Sequence, residues 1–231
     1  MSDVYFMRWF AKLFLVFSLV STMVWAEESP SDLTLVTNKR DIKIWTYKVP
    51  KTTMYGFKAV MTVKSTLSGL VGLITDTDNA NRWLYRTRSV EVLERSDDAL
   101  NFTIRAISDF PWPVSDREVL IDVHVSQDAK TSIVRIDNNE SAKAAKYPVK
   151  SGCLRMPVVQ GYWMFKPLAN GMVEVTMNGY AHPGGNIPVS IVNLLVQEHP
   201  YNTLQGLRKV IGDLRYQKMQ YPGIHELATA P

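Results

Sequence analysis

From residue 42 the chain alternates between apolar and polar positions with a period of two. Ile42, Ile44 and Thr46 share one face while Lys43, Trp45 and Tyr47 share the other, and Phe57, Ala59, Met61 and Val63 repeat the pattern against Lys58, Val60, Thr62 and Lys64. Alternation of this kind predicts half-buried β-strands. Ser65–Leu84 breaks the rhythm: Leu67, Leu70, Val71 and Leu73/Ile74 fall at helical spacing, Asp76, Asp78 and Asn79 predict a turn, and Arg82-Trp83-Leu84 a second short helical piece. Strands then follow one another at Val90–Glu94, Leu100–Ala106, Val119–Val125, Ser132–Asp137, Leu154–Pro167 and Val173–Tyr180, with Asn170-Gly171 as a hairpin signal. Ser31–Asn38, opened by Ser31 or Asp32 as a cap, predicts a short helix or turn. Ile187–Arg215 predicts one long helix with Pro188 in its first turn, an apolar stripe of Leu204, Leu207, Ile211 and Leu214, and a kink at Pro200. Strands, a helical excursion, further antiparallel strands and a terminal helix make an α+β fold in one domain, the helix laid on a curved sheet.

Composition narrows the class. The 231 residues are 46% hydrophobic and 21% charged, and 26 Lys+Arg against 22 Asp+Glu leave a net charge of +4. That excess is small, and its densest cluster, Lys143, Lys146 and Lys150, is interleaved with Ala, Tyr and Pro, which argues against a nucleic-acid partner. The single cysteine, Cys153, excludes an intramolecular disulfide and a Cys-based zinc site, and its surroundings suit a small core hydrophobe.

The first 26 residues predict an export signal. Arg8 and Lys12 precede the apolar run Leu13–Val24, and Val24-Trp25-Ala26 places small residues where a signal peptidase cuts. That run spans about 18 Å as a helix, short of the roughly 30 Å hydrocarbon core. The expectation is cleavage after Ala26 and a periplasmic or secreted protein, with an uncleaved anchor as the rival; Met7-Arg8-Trp9 also reads as an alternative start.

Catalytic signals are missing. There is no nucleophile elbow, phosphate-binding glycine loop or zinc-binding helix motif, and His124, His182, His199 and His225 fall on different elements without shared spacing. Asp76 and Asp78 fit a capping or turn role better than cation binding. Asp116-Arg117, after Pro111-Trp112-Pro113, either braces the start of a strand or orients a ligand head group. No catalytic residue, cofactor or metal is expected.

Four motifs add a resemblance. Phe110-Pro111-Trp112-Pro113-Val114-Ser115-Asp116-Arg117-Glu118 is similar to a segment of START domains, the lipid-transfer modules related to the steroidogenic acute regulatory protein. Gly161-x-Trp163-x-Phe165-x-Pro167-Leu168, Pro183-Gly184-Gly185-Asn186-Ile187-Pro188 with Asn193, and Thr203-Leu204-x-x-Leu207-Arg208 follow in the family's order over about residues 30–215. The resemblance implies a helix-grip fold, in which an incurved antiparallel sheet and the C-terminal helix enclose a tunnel for one lipid-sized ligand. Two departures stand out. His182 precedes Pro-Gly-Gly where the family usually has Asp or Asn, and Ala80 occupies the position matching the phosphate-contacting Arg of the phosphatidylcholine-transfer member, with Arg82 two residues on.

Periodicity alone points Phe102, Ile104, Val119, Ile121, Val123, Trp163, Phe165, Val173, Val175 and Met177 inward together. With the resemblance, the candidate ligand contacts become Phe102, Ile104, Ile121, Val123, Trp163, Phe165, Val175 and Met177 on strands, Ile191 and Leu195 on the helix, Trp112 at the tunnel mouth and Arg117 near it. The expected function is non-catalytic binding and transfer of a lipid or hydrophobic small molecule by a monomer that contacts membranes transiently. The alternative is a helix-grip enzyme, cyclase- or hydrolase-like, acting on a hydrophobic substrate.

Overall fold

The computed structural model describes residues 32–52, 54–187 and 189–227; the segment read as an export signal lies outside them. The described residues form ten strands and three α-helices. β1 (Thr34–Lys39), β2 (Ile42–Lys48) and β3 (Tyr55–Lys64) lead into α1 (Leu67–Thr75) and a 3₁₀ turn (Thr77–Arg82). Then come β4 (Thr87–Arg95), β5 (Asn101–Ser108), β6 (Asp116–Gln127), β7 (Val134–Glu140), β8 (Cys153–Arg155), β9 (Val158–Pro167) and β10 (Met172–His182), and finally α2 (Val189–Val210) and α3 (Leu214–Gln217). They make one sheet in the order β1-β2-β3-β10-β9-β7-β6-β5-β4, antiparallel throughout that path, with β8 parallel to β6. The α1 excursion carries the chain from β3 to the far edge at β4, and the meander returns until β10 pairs with β3.

Three predicted elements differ. Residues 34–39 are an edge strand rather than a helix or turn, because β2 supplies a ladder that local sequence cannot reveal; Arg40 and Asp41, both at positive φ (52° and 57°), make the tight turn between them. The segment 154–167 is two strands, since Pro157 lacks the N–H a ladder needs. The terminal helix stops at Val210, runs through Pro200 as a single element, and is followed by a turn and α3; Leu214, assigned to its apolar stripe, is 71% exposed, and Tyr216 is the residue buried there.

One end of the concave face is solid. Leu67, Leu70 and Leu73 of α1, Leu204 and Leu207 of α2, and Tyr216 of α3 pack on Ile42, Ile44, Met61, Phe165 and Val175. Thr66 caps α1 by accepting from the Gly69 N–H at 2.9 Å, and the Glu226 carboxylate accepts from the Leu67 and Ser68 N–H groups at 2.8 Å each, tying the C-terminal segment to that core. Gly206 lets α2 approach Trp83 closely: a Cβ there would stand 2.3 Å from the Trp83 carbonyl oxygen. On β9 and β10 the cross-strand partners Gly161 and Gly179 permit a similar approach, where a Cβ would meet a neighbouring-strand carbonyl oxygen at 2.3 and 2.9 Å. This pair already borders open space, which begins on these strands past Phe165 and Val175.

Candidate functional site

An internal cavity of about 320 Å³ lies between the sheet and the first half of α2. Its sheet wall carries Phe102 and Ile104 of β5, Val119, Ile121 and Val123 of β6, and Met177 of β10. Its helix wall carries Val192, Leu195, Val196 and His199, the i, i+3, i+4 and i+7 positions of one helical face. Trp83, buried beneath α2, closes one side and meets Trp163 edge to face at 6.0 Å between centroids.

The segment after the 3₁₀ turn is fastened to α2 by polar contacts. The Tyr85 N–H donates to Thr203 Oγ1 at 3.2 Å and the Tyr85 hydroxyl to Glu198 Oε2 at 3.4 Å, while the Tyr85 and His199 rings meet edge to face at 6.4 Å. His199 lines the cavity, and burial pushes its imidazole down to about 4, so it is neutral at ordinary pH. The fully ionic groups on the wall are Arg86 and Asp109, and Asp109 is paired outward with Arg88 at 2.5 Å. No group of three or more His, Cys, Asp or Glu among the described residues is placed to hold a metal ion. Asp76 instead accepts from Asn79 Nδ2 at 3.0 Å and from the Tyr216 hydroxyl at 2.8 Å. A largely apolar chamber with sparse, uncoupled polar groups is suited to holding an apolar molecule.

No family model matches the chain. An uncharacterized protein of Pseudomonas aeruginosa is 28% identical over 177 residues, 77% of this chain and 85% of its own length. A STAR-related lipid transfer protein from Xanthomonas axonopodis superposes with a TM-score of 0.70 at 24% identity, over 78% of this chain and 98% of that one. Human StAR-related lipid transfer protein 5 does so with a TM-score of 0.71 at 12% identity, over 80% and 88%. The chain has the START fold.

Within the START fold the twelve sequence-derived candidates separate into two sets. Phe102, Ile104, Ile121, Val123, Trp163, Met177 and Leu195 stand on the cavity wall. Phe165 and Val175, cross-strand partners and both fully buried, do not: they lie one pleat repeat further along β9 and β10, where α1 and the second half of α2 fill the concave face. Ile191 is one position out of phase with the 192-195-196-199 face. Trp112 is 92% exposed, and from the same loop it is Phe110 that reaches the cavity. Arg117 braces the fold. Its Nε donates to the Pro183 carbonyl at 2.6 Å and its Nη2 to that of Gly184 at 3.1 Å, Ser115 O accepts from Nη1, and Phe110 lies under the guanidinium at 4.9 Å. Burial lowers its pKa, and no part of it faces the cavity. Asp116 completes the brace through Arg88 at 2.6 Å and the Phe110 N–H at 3.1 Å.

Several wall residues escaped the sequence reading. Val192, Val196 and His199 were legible as one helical face with Leu195, had that stripe been extended upstream of Pro200. Trp83, Arg86 and Phe110 lie on irregular segments without periodicity, so local pattern carried no signal for them. Ala80 presents only a methyl group to the cavity, and Arg82 points outward to Asp213 at 3.0 Å. Cys153 is half-buried in β8, and burial raises its thiol pKa, followed by the nearby charges of Asp116 and Glu118.

Proposed function

We propose that this protein is exported, cleaved after Ala26, and binds a lipid or other hydrophobic molecule in its internal cavity for transfer between membranes without chemical change. The observation that carries the reading is the cavity itself, walled by strand faces and a helix face that would otherwise meet as core. Each CH₂ withdrawn from water there contributes about 0.8 kcal/mol, so an alkyl chain supplies its own affinity without a catalytic group. Two proteins that share the START fold, from Xanthomonas axonopodis and human, are named as lipid transfer proteins, which supports the same reading. Among the described residues His199, the titratable group on the helix wall, has a ring contact with Tyr85 and no hydrogen-bonded carboxylate to orient it as a base, which is why we favour a carrier over a helix-grip enzyme. Native mass spectrometry of the exported protein, followed by organic extraction, tests the proposal. The expected result is a mature chain beginning at Glu27 with one extractable apolar molecule bound, and uptake of a fluorescent acyl probe from vesicles. A ligand-free protein that takes up no apolar probe would overturn it.

A further inference from the structure

One wall of the cavity is not explained by apolar packing. Trp83, Leu84, Arg86, Thr87 and Asp109 line the cavity on one side and, on the other, a recess of about 440 Å³ beside the second half of α2. The recess also gathers Arg40, Arg82 and Lys209. Among the described residues only Arg82 of these four cations has a carboxylate within 4 Å, Asp213, and the one carboxylate on the shared wall, Asp109, is engaged by Arg88. Arg86 is the cation common to both spaces. Its guanidinium rests over the Tyr85 ring at 5.3 Å, and its Nε is buried with no hydrogen-bond partner among the described residues. The Trp83 indole N–H, on the same wall, is likewise buried without an acceptor.

Buried donors are normally satisfied, because an unmade hydrogen bond forfeits the water it displaced. Asp109 Oδ1 on this wall is likewise buried without a hydrogen bond among the described residues, but its charge is taken up by Arg88 at 2.5 Å. The two unpaired donors that remain, beside cations lacking counter-charges, describe a site short of an anion. A guanidinium is a planar fork of donors matched to carboxylate and phosphate oxygens. The geometry points to an acidic amphiphile as the ligand: its apolar tail occupies the cavity and its anionic head, carboxylate or phosphate, sits on Arg86 within the field of Arg40 and Lys209. This rests on the carrier reading above and narrows its ligand class.

Three probes with one tail separate the alternatives: hexadecanol, hexadecanoate and hexadecyl phosphate, each displacing the neutral dye Nile red from the mature protein at mildly alkaline pH and low salt. The expected result is that at least one acid binds about tenfold or more tighter than the alcohol, and which acid does so identifies the head group. Arg86→Gln should bring that ratio to within about twofold, whereas Arg86→Lys should keep most of it. If Arg86→Gln fails to fold by circular dichroism, the double variant Arg40→Gln/Lys209→Gln, which alters only exposed side chains, must lower the ratio by about threefold. Equal binding of alcohol and acids by the wild type, or a ratio indifferent to both variants, overturns the anion site while leaving the carrier reading intact. Failure of the dye and all three probes to bind overturns both.

Discussion

Arg117 Nε lies 2.6 Å from the carbonyl oxygen of Pro183, so a buried side chain at the start of β6 holds the loop from which α2 departs. Replacing it with Met leaves the carbonyls of Pro183, Gly184 and Ser115 without their donors. Because charged hydrogen bonds are lost in a buried setting, Arg117→Met should lose about 2–4 kcal/mol of stability by urea denaturation. Arg117→Lys should recover only part, since one ammonium cannot span three carbonyls. A variant as stable as the wild type would remove Arg117 from the brace.

Trp163 and Phe165 sit two residues apart on the same face of β9, yet one borders the cavity and the other the solid core. Phe165→Ala should cost about 3–5 kcal/mol of stability. Trp163→Glu should abolish uptake of an apolar probe by setting a charge against the ligand space, with a smaller loss of stability because that charge can be hydrated from the cavity. Unfolding and uptake measured on the same two samples check the contrast; identical profiles would contradict the division between cavity and core.

The acid limb of the stability profile should begin with His199. Its folded pKa of about 4 lies below the ordinary histidine value of about 6.5, so between those limits the unfolded chain binds more protons. Stability is therefore unaffected above that window and falls as pH drops through it, by about 1–3 kcal/mol. His199→Gln should flatten this portion of the curve of urea midpoint against pH. Glu94 acts lower: hydrogen bonds from Lys146, Tyr147 and Lys143 hold its carboxylate near 2, so its contribution disappears only as pH falls from 4.5 toward 2. On the alkaline side burial raises the Tyr47 hydroxyl to about 12, and stability should fall as pH rises from 10 toward that value.

The two halves of α2 should exchange amide hydrogens differently. Val192, Leu195, Val196 and His199 face the cavity, whereas Thr203, Leu204 and Leu207 are fully buried in the core. Pro200 between them lacks the N–H that would bond to the preceding turn. In the ligand-free protein, protection should be lower before Pro200 than after it, and an apolar ligand should raise it chiefly in the first half. Uniform protection along the helix, unchanged by ligand, would contradict this division of α2 at Pro200.

Much of this architecture was written locally. The period-two runs of β2, β3, β5, β6 and β10 had only one face to bury, so alternation identified both the strands and the side chains that point inward. The helical spacing of α1 and the second half of α2 was equally plain, and the motifs around Trp112, Trp163, Pro183 and Thr203 pointed to a START-like fold. Tertiary structure decided the rest. β1 exists because β2 offers it a ladder, a non-local pairing that its mostly exposed side chains do not announce. Alternation says that Met177 and Val175 face the same way, but only the positions of α1 and α2 determine that one meets empty space and the other meets Leu and Phe side chains. The Arg86 wall is wholly a product of the fold: its residues come from an irregular segment, a loop and a helix far apart in the chain, and no periodicity links groups that meet only when the sheet curls around the helix.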